Sequence, residues 1–160
     1  MNEGLVVRPI AKADHEGWRL LWDGYNAFYG RSGSTSLPES ITRATWSRFF
    51  SKEEPVFALV AILDSQVVGM AHYIFHRSTT RLTDVCYLQD LYTSEGQRGK
   101  GVGRQLIASV VTVAEARGST RIYWQTQESN AAGRALYDKV ASHNGFIVYS
   151  IELRVGRADA

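Results

Sequence analysis

Residues 97–104 read Gln97-Arg98-Gly99-Lys100-Gly101-Val102-Gly103-Arg104 and lie between a strand-like run and a helix-like run. Alternate glycines at 99, 101 and 103 let successive backbone N–H groups converge on an anion with no Cβ in the way. A helix that begins there turns its positive end toward the same anion. Arg98, Lys100 and Arg104 add formal positive charge. A segment built this way suits a pyrophosphate.

Spacing separates this loop from two others with similar composition. In a dinucleotide-binding Gly-x-Gly-x-x-Gly the third glycine would fall on Leu106 or Arg104, depending on the register. A Walker A loop needs Ser or Thr after Gly-Lys, and here Gly101 follows Lys100, while Ser94 stands where its first glycine belongs.

The flanks supply the context a phosphate loop requires. Residues 85–93, Val-Cys-Tyr-Leu-Gln-Asp-Leu-Tyr-Thr, are mostly apolar, β-branched or aromatic, which predicts a buried strand. Downstream, Val102, Leu106, Val110 and Val113 recur at helical spacing beside Gly103, Ile107, Val111 and Ala114. Two adjacent apolar stripes predict a helix packed on a sheet, and Gly118 after Arg117 supplies its stop. Residues 121–127 read as the next strand, and Asn130 is a cap residue opening a short helix through Tyr137.

The pattern Arg98-x-x-Gly101-x-Gly103 resembles the Q/R-x-x-G-x-G/A signature of the GNAT family of N-acetyltransferases. The six-residue gap between Asn130 and Tyr137 resembles the family's Asn-x6-Tyr, and residues 123–130 are similar to its yeast histone-type and polyamine-type branch. The resemblance covers residues 56–153 well and residues 1–55 in pattern only. It implies a single N-acetyltransferase domain over residues 1–160, an α/β fold with a mixed, mostly antiparallel twisted sheet flanked by helices. It implies acetyl-CoA as cosubstrate and a primary amine, on a small molecule or a peptide lysine, as acceptor. Arg98, Gly99, Lys100, Gly101, Val102, Gly103 and Arg104 would then hold the pyrophosphate. The backbone of Leu91, Tyr92 and Thr93 would pair with the pantetheine arm and offer an N–H to the thioester oxygen. Asn130 would approach the CoA arm, and Tyr137 would lie beside the sulfur. A homodimer is in keeping with the family, and the alternating residues 146–153 could pair or swap at an edge.

Acetyl transfer to an amine needs three things. A lysine-like amine of pKa about 10.4 is neutral only about one time in 2,500 at pH 7, so a proton must leave it. The carbonyl oxygen, which gains charge, needs a donor. The departing thiolate benefits from a proton. Tyr137 is the candidate donor to sulfur, since a phenol near pKa 10 can protonate a thiolate whose acid is near 8.5. The base is less evident. Polyamine-type relatives carry Glu-Asp where this chain has Gln89-Asp90, and Gln accepts no proton at this pH. Strand alternation would turn one of the two away from the site. The base is therefore either Asp90 or water, with Gln89 and Tyr29 as candidate acceptor contacts.

Other features bound the answer. A chain of 160 residues with 44% hydrophobic and 21% charged residues is enough for one domain and one core. There is no 18-residue apolar run and no basic-then-apolar leader at the N-terminus, so neither a membrane span nor a secretory signal is expected. A net charge of +2 with no dense Lys/Arg cluster weighs against nucleic acid. The single cysteine, Cys86, allows no intramolecular disulfide, suits the cytoplasm, and reads as a buried hydrophobe. The four histidines are scattered, with no metal-ligand spacing.

The remaining elements read as a strand at 5–9, a helix capped by Asp14 and running to about Phe28, and a helix at 39–50 after Pro38. Strands at 56–63 and 66–75 are joined at Asp64-Ser65, and a final strand is expected at 146–153. Trp22, Tyr25 and Phe28 read as a core stripe. Between Arg31 and Phe50 the only acid is Glu39, which disfavours a strongly cationic polyamine as acceptor. A non-catalytic acyl-CoA sensor is the competing reading, and the Asn130–Tyr137 pair weighs against it.

Overall fold

The computed structural model describes residues 4–153. They fall in two compact units, divided in the chain between Gln127 and Glu128. The first holds a five-stranded sheet of order β1-β2-β3-β4-β5. Its strands are β1 (Val6–Pro9), β2 (Val56–Leu63), β3 (Gln66–His76), β4 (Val85–Thr93) and β5 (Ile122–Tyr123). The first three pairings are antiparallel, and β4 with β5 is parallel. The helices of this unit are α1 (His15–Phe28), α2 (Glu39–Arg48) and α3 (Val102–Ala116). The second unit contains α4 (Ala131–Val140). The α/β class and the mixed, mostly antiparallel sheet are as expected.

Two faces of the sheet are covered by different chemistry. Trp18, Leu21, Trp22 and Tyr25 of α1 pack with Met70 of β3 in an aromatic core, bordered by Trp46 and Phe49. On the other face, Val102, Leu106, Ile107, Val110 and Ala114 of α3 are buried, which joins the two stripes read from the sequence. Gly69 makes that docking close: a Cβ there would stand 2.8 Å from a Val102 methyl and 3.0 Å from a Leu106 methyl. The β2–β3 hairpin turns at Asp64 and Ser65, both in the left-handed region (φ 48° and 64°), as a two-residue primed turn requires.

Four expectations are corrected. Residues 146–153 form no strand, and Phe146, Ile147, Tyr149, Ile151 and Leu153 are exposed. The alternation is real, but a strand exists only where a neighbour accepts its backbone hydrogen bonds, which alternation does not supply. The strand expected at 121–127 is confined to Ile122–Tyr123, whose ladder partners are Cys86 and Tyr87. Asp14 precedes α1, but its side chain makes no cap bond; it accepts from the Ala11 N–H at 2.7 Å and from both terminal nitrogens of Arg8 at 2.7 and 2.8 Å. Phe28 is exposed, since the helix turns its apolar stripe through Trp18, Leu21, Trp22 and Tyr25.

Candidate active site

The strand, loop and helix around residues 85–116 form as the sequence predicts. After β4 the chain makes a short turn at Glu95–Gln97 and then the glycine loop. Gly99 and Gly101 adopt φ of 75° and 87°, and no heavy atom lies within 4 Å of where a Cβ would sit at either. The backbone there is open, and only glycine takes up that conformation without strain. Gln105 makes the bond from its N–H to the Gly101 carbonyl at 3.0 Å. The N–H groups of Val102, Gly103 and Arg104 therefore open α3 with no carbonyl four residues back inside the helix. This is the donor arrangement an anion needs, so the residues present fit a pyrophosphate.

The loop cations rest on nearby groups. Arg98 donates from Nε to the Thr93 carbonyl at 3.2 Å and stacks its guanidinium 5.3 Å above the Tyr92 ring. Lys100 donates to the Gly96 carbonyl at 2.9 Å and to Gln97 Oε1 at 3.1 Å. Arg104 is exposed on the first turn of α3. Tyr92 is placed by Gly24 of α1, where a Cβ would fall 2.7 Å from the phenol oxygen. Leu91 and Thr93 are half-buried on either side of Tyr92.

The bulge in β4 changes which residues share a face. Asp90 pairs with His72, but Leu88 pairs with Tyr73, so Gln89 is the extra residue. Strict alternation therefore fails at Gln89. Tyr87 feels the charges of Asp90 and Tyr29, while Asp90 and Tyr92 also meet α1, so the parity of the strand reverses across the bulge. Gln89 is exposed and Asp90 is buried.

Asp90 ends a hydrogen-bonded series that runs through the core. Trp18 donates its indole N–H to His72 Nε2 at 2.9 Å. With Nε2 accepting, the imidazole carries its hydrogen on Nδ1 and donates it to Asp90 Oδ2, also at 2.9 Å. The Tyr25 phenol lies near the same carboxylate, and burial, followed by the Asp90 charge, pushes it far above its ordinary pKa. Tyr25 therefore remains a donor at any physiological pH. The His72 bond fixes the orientation of Asp90 in a site almost closed to solvent.

Tyr29 is half-buried at the end of α1, with its ring 5.0 Å from that of Tyr25. It thus lies one ring away from Asp90. In the second unit, Asn130 is the N-cap of α4 and accepts from the Gly133 N–H at 3.1 Å, as its place in the sequence predicts. Tyr137 lies on the same helix and is half-buried.

Trp18, Tyr25, His72 and Arg31 carry polar roles that no sequence spacing reveals. His72 sits inside the apolar run of β3, and its partners are 54 residues before it and 18 after it. A histidine within a predicted buried strand is the one local signal. Among the described residues, no group of three His, Cys, Asp or Glu side chains could hold a metal ion, and no helix is long and apolar enough to cross a membrane.

Residues 18–141 match the model of the acetyltransferase (GNAT) family. HPA3 of Saccharomyces cerevisiae, a D-amino-acid N-acetyltransferase, is 33% identical over 152 residues, covering 93% of this chain and 91% of its own. An aminoglycoside acetyltransferase from an uncultured soil metagenomic sample matches in structure with a TM-score of 0.80 at 15% identity, over 96% of this chain and 99% of its own. AAC(6')-Iy, solved with the bisubstrate analogue CoA-S-monomethyl-acetylneamine, matches with a TM-score of 0.78 at 16% identity, over 94% and 99%. The two structural likenesses show the fold.

Proposed function

The chain belongs to the GNAT family of acetyltransferases and is an acetyl-transferring enzyme, and from that premise we propose that it moves the acetyl group of acetyl-CoA to a primary amine by direct attack in a ternary complex. The observation that carries this reading is the open, left-handed glycine loop leading into α3. Arg98, Gly99, Lys100, Gly101, Val102, Gly103 and Arg104 bind the pyrophosphate, the backbone of Leu91, Tyr92 and Thr93 binds the pantetheine arm, and Asn130 contacts CoA. The family match runs from residue 18 to 141 and so crosses the boundary between the two units, which supports one N-acetyltransferase domain.

The ammonium first loses a proton, for which Asp90, fixed by His72, is the acceptor. The nitrogen lone pair then forms the C–N bond, and the C–S bond breaks. Nitrogen loses a second proton, the thiolate takes one from Tyr137, and one proton is released overall. Gln89 and Tyr29 border the acceptor. The acceptor class is drawn from the relative: HPA3 acts on D-amino acids, and an amino-acid amine suits a region whose one acid, Glu39, is tied to Arg19 at 2.7 and 2.9 Å.

Thiol release from acetyl-CoA, followed with a chromogenic disulfide over a panel of amino acids, polyamines, aminoglycosides and lysine peptides, tests the reading. Turnover is expected with amino acids above all. Binding of acetyl-CoA without turnover of any amine would favour a sensor instead. We also propose a homodimer in the cytoplasm. The exposed apolar side chains of residues 146–153 support a second copy as their cover, and light scattering on the full chain tests it. The lone buried cysteine is in keeping with a reducing compartment.

A further inference from the structure

Arg31 is a prepared cation with no carboxylate partner among the described residues. It follows Gly30, whose φ of 75° reverses the chain after α1. Its backbone N–H donates to the Asn26 carbonyl at 2.8 Å, and its Nε donates to Asn26 Oδ1 at 2.7 Å. Asn26 is itself buried and anchored, since its amide donates to the Trp22 carbonyl at 2.8 Å. The guanidinium lies 5.4 Å from the Tyr29 ring centre and 5.8 Å from that of Tyr25. Backbone, amide and two aromatic faces thus hold it in one place. Among the described residues, no carboxylate forms an ion pair with it.

A buried amide that serves to orient an arginine is a costly arrangement if the guanidinium is merely solvated. The free edge of the fork offers paired N–H donors, the geometry that matches a carboxylate. Tyr25 relates this cation to the candidate base: its ring lies 5.8 Å from the guanidinium, and its phenol feels the charges of both Asp90 and Arg31. One ring therefore separates a fixed anion from a fixed cation.

We propose that Arg31 binds the carboxylate of the acceptor while Asp90 takes its ammonium, so that the enzyme selects primary amines that also carry a carboxylate. The inference rests on the amine-acetylating reading of the same site and names the acceptor's second group. Arg31 acts as a specificity-determining residue, with Asn26 positioning it. Polyamines, which carry no anion, leave the guanidinium unpaired and place positive charge beside it.

The test compares kcat/KM for an amino acid, its carboxamide and the amine lacking the carboxyl group, in wild type, Arg31→Gln and Arg31→Lys. Wild type is expected to prefer the amino acid over its carboxamide by about tenfold or more, the worth of a charge-assisted hydrogen bond. Arg31→Gln removes that preference through KM, and Arg31→Lys restores part of it. The acetyl-CoA dissociation constant is measured alongside, because a phosphate of CoA is the other anion that could claim this guanidinium. A weakened acetyl-CoA complex in Arg31→Gln, an equal loss on all three acceptors, or a wild type indifferent to the carboxylate each overturns the proposal. A wild type that acetylates no amine at all overturns the underlying reading, and this one with it.

Discussion

His72 Nδ1 stands 2.9 Å from Asp90 Oδ2, in the core beside the edge of the Trp18 ring. The Trp18 N–H occupies the other imidazole nitrogen, so His72 is a neutral donor to the carboxylate and not a cation paired with it. Imidazole nitrogen NMR is expected to show the Nδ1–H tautomer. Trp18→Phe keeps an aromatic ring but leaves Nε2 without its donor, and should cost about 1–3 kcal/mol of stability in urea unfolding. An Nε2–H spectrum in wild type would reverse the assignment of donor and acceptor.

Two glycines in the same loop should respond differently. Gly101→Ala forces a Cβ onto a φ of 87°, at a cost of about 1–2 kcal/mol, and should weaken acetyl-CoA binding about tenfold. Gly96→Ala meets no atom within 4 Å and lies outside the left-handed region, so it should bind as wild type does. Calorimetric titration of both variants decides the matter; equal affinity in the two would remove the loop from the cofactor site.

Acid should weaken the start of α1. The Arg8 guanidinium, helped by the Ala11 N–H, holds the Asp14 carboxyl below its ordinary value of 3.8. A depressed carboxylate contributes stability that is complete above pH 3.8 and lost as pH falls through the folded value. Arg8 is partly exposed, so Arg8→Ala should cost only about 1 kcal/mol at neutral pH. The stability gap between wild type and Asp14→Asn, from urea midpoints, should be flat from about pH 5 to 8 and close below about pH 4. A gap that widens in acid would contradict the pairing.

Cys86 should be inert in the native protein. Burial pushes its thiol up to about 11, with Arg117 partly opposing the shift. At about pH 8 little thiolate is present, and the sulfur is enclosed in β4. Ellman's reagent should titrate one thiol per chain in urea and none before unfolding. Fast labelling of the native state would place Cys86 outside the core.

Much of the first unit is legible from local pattern. The run at 85–93 forms β4 to the residue, and the two stripes after Gly101 form the buried face of α3, because period and burial follow directly from side-chain polarity. Asn130 caps α4 as its place before an alanine-rich run implies. The alternating residues 146–153 misled, since alternation describes a strand's faces but does not provide the neighbour that makes it one.

The sequence by itself determined the family and the strand–glycine loop–helix unit, because both are encoded in residues a few positions apart: Arg98, Gly101 and Gly103, and the six-residue spacing between Asn130 and Tyr137. The tertiary structure alone decided the chemistry around Asp90. A one-residue bulge at Gln89 turns the strand's parity, His72 of β3 reaches that carboxylate, and Trp18 of α1 reaches His72 in turn. Hydrogen bonds that depend on packed distances leave no period in a sequence, and Arg31 differs from any other surface arginine only once Asn26 and two tyrosine rings hold it still.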